Sequence, residues 1–394
     1  MRFEIYNARV PRDRERWQAV HDAWPTREVF AHPAYVGLFA GEGQEALAAF
    51  AETDSGPVLY PFVLRPVDAP HLAAGLTRQR PIDRDASFLG PASGPTSGRE
   101  GPPAFDVTSA YGYAGAFCQA PLDEPDAKQF WVAFDEFCRD RRVVSEFTRL
   151  SLLDDQRLAH PGRVEPRLTN VVCDLRMPED AQWRGFDHKV RKNVNKARRA
   201  GVTVEVDEVG ARLDDFLRVY AGTMDRRSAA DGFYFPRAFF ETIVAGMPGR
   251  FAFFHALHAG RVVSTELVLV SADTLYSYLG GTDRDAFDLR PNDLLKFEVC
   301  RWGRAAGASR FVLGGGYAPD DGIFRYKRAF APTGLVPYSV GTRVLDEPGY
   351  ARLLGAHHAE GLRRDPGWRP GPAFFPGYRC PLPDPVSPEN AQGA

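Results

Sequence analysis

The sequence of 394 residues has little that marks metal, disulfide or membrane proteins. Its five cysteines form no CxxC pair and have no histidines at zinc-ligand spacing, which predicts free thiols, a reducing compartment and no metal. No apolar run reaches the length of a membrane span, and residues 1–17 lack the apolar core of a signal peptide. We therefore expect a soluble, cytoplasmic protein.

Net charge is also nearly absent, because the formal charge is only −2. Such a chain is not attracted to nucleic acid as a whole, so DNA is not an expected partner and RNA contact requires a local basic patch. Lysine is scarce, with six residues against 43 arginines, which makes the lysine positions informative. What is present is an ordinary globular mixture, 44% hydrophobic and 25% charged, long enough for two domains.

The most informative stretch runs from residue 251 to residue 330 and leads into three glycines, 314–316. Apolar runs, turn residues and helical periodicity predict, in order, a three-strand antiparallel meander (251–258, 262–270, 274–280), a helix (291–306), a short strand (311–313), a helix starting at Asp320-Asp321-Gly322 and a last strand (335–344). This is the element order of the GNAT acyltransferase core.

Four motifs in this stretch carry a narrower resemblance. YSYLGGT, PNDLLKFEVCRWGRAAG, FVLGGG and IFRYKRAF resemble the second domain of the Fem family, transferases that build peptidoglycan interpeptide bridges from aminoacyl-tRNA, and of their relatives outside cell-wall synthesis. One departure is Leu313, where many Fem proteins carry an acidic residue.

The first half of the chain shows a similar order of elements. Its predicted elements are helices at 12–24, 33–39 and 128–141, a hairpin between residues 45 and 66, and a strand at 147–153, with a connector at 154–168. We therefore predict an α/β (α+β) fold of tandem GNAT-like domains, each a mixed, mainly antiparallel sheet flanked by helices. The expected bounds are 1–165 and 166–345, followed by a helical and proline-rich extension, 346–394, whose last ten residues are predicted to be disordered.

A stretch rich in Tyr and Gly, DVTSAYGYAGAF, occupies residues 106–117. Aromatic residues between glycines are commonly packing and turn residues. In the Fem resemblance the stretch is a recurring first-domain motif beside the acceptor channel, which implies that Tyr111 and Tyr113 bind substrate.

A basic helix is predicted at 188–200, and no acidic residue occurs from His188 to Val204. One face of its helical wheel carries Lys189, Lys192, Lys196 and Arg199. The pattern fits either a solvated charged face or contact with phosphates of a tRNA acceptor arm or of a nucleotide-linked substrate. Fem proteins of the cell-wall type often insert a long helical hairpin here to hold tRNA, and this chain has no such insertion.

Lys327 is the candidate catalytic residue. It matches the lysine of the family's aromatic-Lys-x-x-Phe motif, and it would stabilise the oxyanion or the donor carbonyl. The alternative is an ordinary surface lysine on a helix. Tyr317, Arg325 and Tyr326 are expected to line the same cavity. No Ser-His-Asp or Cys-His arrangement is discernible, so covalent catalysis is not expected.

The loop before the predicted helix 291–306 bears on the identity of the donor. Enzymes of this fold that use CoA hold its pyrophosphate on a glycine-rich loop before the helix, whereas residues 281–292 here are GTDRDAFDLRPN, which carries acidic residues and lacks that pattern. An aminoacyl-tRNA ester is already activated, so it would act as co-substrate without a cofactor.

Three interpretations follow. The first is an aminoacyl-tRNA-dependent N-aminoacyltransferase acting on an amine of a small-molecule natural product or a peptidoglycan precursor. The second is an N-acyltransferase of GNAT type that uses acyl-CoA or an acyl carrier. The third is a non-catalytic RNA- or partner-binding module that has kept the fold.

Overall fold

The structure, a computed structural model, describes residues 1–67, 103–229 and 231–384. The disorder predicted for residues 385–394 falls outside these ranges. The chain divides into two compact units. The first comprises Met1–Gln18, Val36–Glu165 and Val340–Ala394, and the second comprises Ala19–Tyr35 and Pro166–Ser339.

In chain order the strands and α-helices of the described ranges are β1 (Arg2–Asn7), α1 (Pro11–Ala23), α2 (Pro33–Gly37), β2 (Glu45–Glu52), β3 (Pro57–Val67), β4 (Ala104–Thr108), β5 (Phe117–Cys118), α3 (Glu124–Asp140), β6 (Val143–Arg149), β7 (Arg163–Asp174), α4 (Glu179–Gly185), α5 (His188–Arg199), β8 (Thr203–Asp207), α6 (Leu213–Arg227), α7 (Arg237–Gly246), β9 (Phe251–His258), β10 (Arg261–Val270), β11 (Thr274–Thr282), α8 (Pro291–Ala305), β12 (Arg310–Gly314), α9 (Gly322–Arg328), β13 (Leu335–Val344) and α10 (Glu347–Arg364).

The strands of the first unit follow the order β1-β2-β3-β4-β6, and the end of β13, from Val340, pairs with β6. All neighbours are antiparallel except β4 and β6, which are parallel. Its core lies between the sheet and α3, whose Phe130, Phe134 and Cys138 are buried. Helix α3 begins earlier than predicted, because the Asp123 side chain accepts a hydrogen bond from the Asp126 amide and caps it.

The strands of the second unit follow the order β7-β12-β11-β10-β9-β8. Strands β9, β10 and β11 form the predicted antiparallel meander, and β11 and β12 are parallel. Helices α5 and α8 supply Val190, Val194, Leu295 and Val299 to the core of this unit.

The chain runs twice through one order of elements. This order is a strand, two helices, a three-strand antiparallel meander, a helix, and a strand parallel to the third strand of the meander. The first pass starts at β1 and the second at β8. The first pass ends at β6 and the second at β12. The predicted fold class, tandem GNAT-like α/β with mainly antiparallel sheets, is therefore confirmed.

The structure differs in detail from the predicted organisation in three stretches: the connector, residues 19–35 and the C-terminal extension. The connector predicted at 154–168 is too long, because β7 already begins at Arg163; Pro166 is accommodated in its exposed beginning. Residues 19–35 group with the second unit. There the Ser271 hydroxyl accepts a hydrogen bond from the Val29 amide (2.8 Å) and donates one to the Glu28 carboxylate (2.8 Å).

The described part of the C-terminal extension groups with the first unit. Tyr378 is buried there, and its hydroxyl lies 2.7 Å from that of Ser145. The five cysteines are unpaired and buried. Within the described ranges no helix combines the length and the apolarity that crossing a membrane requires.

Candidate functional site

An opening in the sheet of the second unit defines the candidate site. Strands β11 and β12 pair only through Thr274–Tyr276 and Arg310–Val312. Beyond that point β12 pairs with β7 at Gly314, while β11 continues to Thr282 without a β12 partner. All residues of β11 from Ser277 onward are half-buried. We call this opening between the ends of β11 and β12 the splay.

The glycine loop, residues 314–316, borders the splay on the β12 side. Gly314 has a φ of 78°, in the left-handed region that favours glycine. A side chain at Gly315 would come within 2.8 Å of Asn170 Oδ1, and one at Gly316 would overlap the Asp321 carboxylate. Asp321 caps α9 by accepting from the Phe324 amide (2.7 Å), so the loop and α9 are held together.

Lys327 extends from α9 to this loop, where its Nζ donates a hydrogen bond to the Gly315 carbonyl oxygen (2.6 Å). Burial, and then the charge of Lys296, lower the pKa of Lys327 to about 8. The ammonium form still predominates at pH 7, and it has two further N–H groups to donate. Lys327 thus lies beside the glycine loop, and its part in the chemistry stays a prediction.

A buried group of polar side chains, Glu266 of β10, Ser277 of β11 and Lys296 of α8, lies at the base of the splay; we call it the polar core. Glu266 is 2% exposed and Lys296 is 7% exposed. Lys296 Nζ donates to Glu266 Oε1 and to Ser277 Oγ (2.7 Å). Burying two charges costs several kcal/mol per ion before pairing, so Glu266 and Lys296 each depend on the other to be buried.

Tyr326 lies beside the polar core, and its predicted contact with substrate stays a prediction. Asn292 Nδ2 donates to its hydroxyl oxygen (2.9 Å), and its ring contacts Phe330. Burial, and then the negative charges of Asp293 and Glu266, raise the pKa of Tyr326 well above its usual value. The hydroxyl therefore stays protonated and can act as a hydrogen-bond donor.

Tyr317 and Arg325 are more exposed than Tyr326. Tyr317 is 47% exposed and its ring packs edge-on against Phe233. Arg325 is exposed, and its guanidinium donates to the carbonyl oxygen of Asp320 (2.8 Å). Both side chains lie near the start of α9, and their predicted contact with substrate stays a prediction.

Helix α5 borders an open groove of about 540 Å³, which we call the basic groove. Its lining residues are Trp183, His188, Arg191, Lys192, Asn195, Arg198 and Arg199. No acidic side chain is among the described residues that line it. Lys192 and Arg199 of the predicted set therefore line the groove, whereas the exposed Lys189 and Lys196 lie outside its lining.

The cations of the basic groove differ in how firmly they are held. Arg198 pairs with Glu298 of α8 (3.1 Å), and Arg191 donates to the carbonyl oxygen of Arg184 (3.0 Å). Lys192 is exposed and has no partner in the part of the chain that the structure describes. Its charge is therefore available to a ligand.

Helix α8 connects the basic groove with the polar core. Asn193 of α5 donates to Asp293 of α8 (3.1 Å), and Lys296 follows one turn later on α8. Trp183 packs edge-on against Phe297 of the same helix, with ring centroids 5.1 Å apart. The basic groove and the polar core are thus both in contact with α8.

Tyr111 and Tyr113 belong to the first unit, in the loop after β4. Both are half-buried, and burial, and then the neighbouring Tyr111, raise the pKa of Tyr113. Their predicted role in substrate binding stays a prediction. Among the residues described, no group of three His, Cys, Asp or Glu side chains is placed to hold a metal ion.

Glu266, Ser277 and Lys296 were not predicted from the sequence. The available signal was a charged residue inside an apolar strand, VVSTELVLV, and a lysine between the apolar residues of the helix NDLLKFEV. Charged residues are rarely buried unless they are paired, so opposite charges within two core-forming elements are compatible with a buried ion pair. Lys296 is also one of only six lysines.

Comparisons with known proteins agree with this fold. Residues 184–328 match the family model of an acetyltransferase (GNAT) domain, a segment that contains the splay, the polar core and the basic groove apart from Trp183. No curated protein matches the sequence.

Among solved structures, FemX is similar over 89% of this chain and 99% of its own, with a TM-score of 0.61 and 11% identity. The C-terminal domain of a putative lysylphosphatidylglycerol synthetase from Agrobacterium fabrum scores 0.48 (15% identity, 89% of this chain and 96% of that chain). A tandem GNAT protein from the clavulanic acid biosynthesis pathway scores 0.41 (10%, 87% and 99%). The last two are too distant to carry a conclusion. The chain has the fold of FemX, and most of its second unit matches the model of a GNAT acetyltransferase domain.

Proposed function

We propose that the protein is an aminoacyl-tRNA-dependent N-aminoacyltransferase that forms an amide bond on an amine of a small-molecule natural product or a peptidoglycan precursor. Aminoacyl-tRNA would be the co-substrate, with no cofactor. The observation that carries the proposal is the basic groove, because it lies in the same unit as the splay and is joined to it through α8.

The lining of the basic groove supports a phosphate-rich donor. Four guanidinium or ammonium groups, a histidine and an asparagine surround a space without carboxylates, which suits contact with successive phosphates. Helix α5 spans roughly 18 Å, or several nucleotides of extended backbone. Trp183 offers an aromatic surface at the edge of the groove, on which a base could stack.

The turn between β11 and α8 supports an ester donor rather than acyl-CoA. In place of a glycine-rich phosphate loop it forms a short 3-10 helix, Arg284–Leu289, with Asp285 in its first turn. Asp283, at its start, pairs with Arg218 (3.0 Å) and Arg261 (3.3 Å). This turn therefore lacks the glycine-rich loop of backbone amides that would hold a pyrophosphate.

The splay supports attack by a free amine on an activated ester. Lys327 is placed beside the glycine loop, where its free N–H groups could stabilise a developing oxyanion, while the strands position both reactants. The ester itself supplies the activation, so no enzyme nucleophile is required.

A charged total tRNA pool tests the proposal. We expect an aminoacylated product when the protein, charged tRNA and an extract containing acceptor amines are combined, and no product after RNase treatment. A variant with Lys192→Glu and Arg199→Glu should lose transfer. Its matched control, Lys189→Glu with Lys196→Glu, reverses two charges of α5 outside the groove lining and should retain it. Transfer from acyl-CoA but not from charged tRNA would overturn the proposal.

A further inference from the structure

One oxygen of the polar core is left without a hydrogen-bond donor. Glu266 Oε1 accepts from Lys296, but Glu266 Oε2 is buried and has no partner in the described part of the chain. Leaving a buried polar atom unpaired is costly, and a charged one more so. A carboxylate oxygen kept open in this way indicates a group that arrives only with substrate.

The residue beside Glu266 on the neighbouring strand is a glycine. The partner of Glu266 across the antiparallel β10–β11 pair is Gly280, in the part of β11 that has no β12 neighbour. Paired residues of antiparallel strands project from the same face of the sheet. Gly280 therefore carries no side chain that could pair with Glu266 Oε2, and a side chain there would come within 2.5 Å of the Thr265 carbonyl oxygen.

The charges around the polar core favour a neutral amine rather than an ammonium ion. Lys296 and Lys327 bring two positive charges toward Glu266, and the charge of Lys296 lowers the pKa of Lys327. The titratable groups near the cluster also include Asp293 and Cys300 of α8, Asp321 at the start of α9, and the protonated Tyr326. A third ammonium would be repelled by Lys296 and Lys327, whereas a neutral N–H can donate to Oε2.

We propose that Glu266 is the proton acceptor for the attacking amine, and that Lys296 is a positioning residue that orients its carboxylate through Oε1. This inference rests on the proposed amine acylation.

The step balances without any further reactant. The amine nitrogen attacks the donor carbonyl, and the carbon–nitrogen bond forms while Lys327 donates to the oxyanion. Glu266 Oε2 takes the proton of the amine. The bond to the leaving oxygen then breaks, and the proton passes from Glu266 to that oxygen.

Single-turnover transfer to two probe amines tests this role. With 2-aminoethanol as acceptor and saturating donor, Glu266→Gln should be slowed about 10²-fold or more, the usual contribution of a general base. With hydroxylamine, whose adduct loses its proton readily to water, the loss should be at least about tenfold smaller. An equal loss with both acceptors, or rates within a few fold of wild type, would overturn the assignment.

Two further variants keep the test decisive. Glu28→Gln makes the same change at another buried glutamate of the same unit and should keep the wild-type rate. Glu266→Gln leaves Lys296 unpaired and could therefore fail to fold. In that case the double variant Glu266→Gln with Lys296→Met removes both charges. It should again be slowed more with 2-aminoethanol than with hydroxylamine. A double variant as fast as wild type would overturn the role of Glu266.

The choice of donor separates this inference from the proposed function. The comparison is made with charged tRNA and with a thioester of the same amino acid. If only the thioester is used, tRNA dependence is wrong and the test of Glu266 continues with the thioester. Absence of transfer from both donors overturns both proposals.

Discussion

Glu146 of the first unit and Glu266 of the second are both buried carboxylates within a sheet, and they differ in how their oxygens are used. Tyr60 donates to Glu146 Oε1, and Arg343 donates to Oε2 (2.6 Å). Burial alone would raise the pKa of Glu146, but Arg343 and His160 lower it to about 2. Glu266 has one oxygen bound and one without a donor in the described ranges.

The difference separates structural from functional burial. The two oxygens of Glu146 are engaged by side chains from β3 and β13, so this carboxylate links elements of its unit. Glu266 links β10 to α8 through one oxygen and leaves the other at an opening of the sheet. Charge burial by itself therefore does not identify a site, and the proposed role of Glu266 rests on the unsatisfied oxygen together with the gap in strand pairing.

The largest expected effect is on folding, at Glu146. Glu146→Gln leaves the buried Arg343 without its main countercharge and should lower the free energy of unfolding by about 3 kcal/mol or more. In the wild type this stabilisation should be lost as pH falls from about 4.5 to about 2, because ionised Glu146 is stabilised in the folded state. Urea unfolding at pH 7 and at about pH 2 measures both effects. An unchanged midpoint would remove Glu146 from the structural side of the comparison.

A third buried carboxylate, Glu28, is expected to act in the opposite direction. Burial raises its pKa to about 7 despite hydrogen bonds from Tyr276 and Ser271. Because the folded state binds the proton more tightly than the unfolded state, stability should fall as pH rises from about 4.5 to about 7. Glu28→Gln should therefore be more stable than wild type by up to about 3 kcal/mol at pH 8 and by little at pH 4. Thermal unfolding of both proteins at the two pH values checks this; a constant difference would contradict it.

A smaller effect is expected on the pH dependence of transfer. Lys327 donates only as the ammonium ion, and its pKa is lowered to about 8. The rate advantage of wild type over Lys327→Met should therefore fall about tenfold between pH 7 and pH 9. The ratio of the two single-turnover rates is the appropriate readout, because ionisation of the acceptor amine cancels in it. A ratio that rises with pH would indicate that neutral Lys327 acts as a base.

The smallest effect is on the salt dependence of donor binding. Lys192→Gln removes one phosphate contact of the basic groove and should reduce the slope of log affinity against log salt by about one unit. Lys196→Gln, one turn further along α5 and outside the groove lining, is the matched control and should leave the slope unchanged. Equal slopes for the two variants would show that the donor phosphates do not bind along the basic groove.

The second half of the fold followed closely from its sequence. Apolar runs bounded by turns gave the meander, and the predicted bounds 251–258 agree with β9. The glycine loop and Asp321 also placed Lys327 correctly, because capping and positive φ are local properties. The connector predicted at 154–168 was too long, because β7 already begins at Arg163.

The site was only partly predictable because its pairings are distant along the chain. Glu266 and Lys296 are 30 residues apart, and each alone resembles an exposed charge in an amphipathic element. A helical wheel likewise found the basic side of α5, but the groove also depends on Trp183 and on the packing of α5 against α8. Such contacts follow from tertiary packing, which periodicity does not encode.

The central claim is that acyl transfer takes place at the splay with Lys327 stabilising the oxyanion. Single-turnover transfer by Lys327→Met, with aminoacyl donor saturating, tests it most directly. The account predicts a loss of roughly 10² to 10³ in rate with donor binding retained, and partial recovery in Lys327→Arg, whose planar guanidinium is not an equivalent point donor. A Lys327→Met rate within a few fold of wild type would contradict the claim and remove Lys327 from the chemistry.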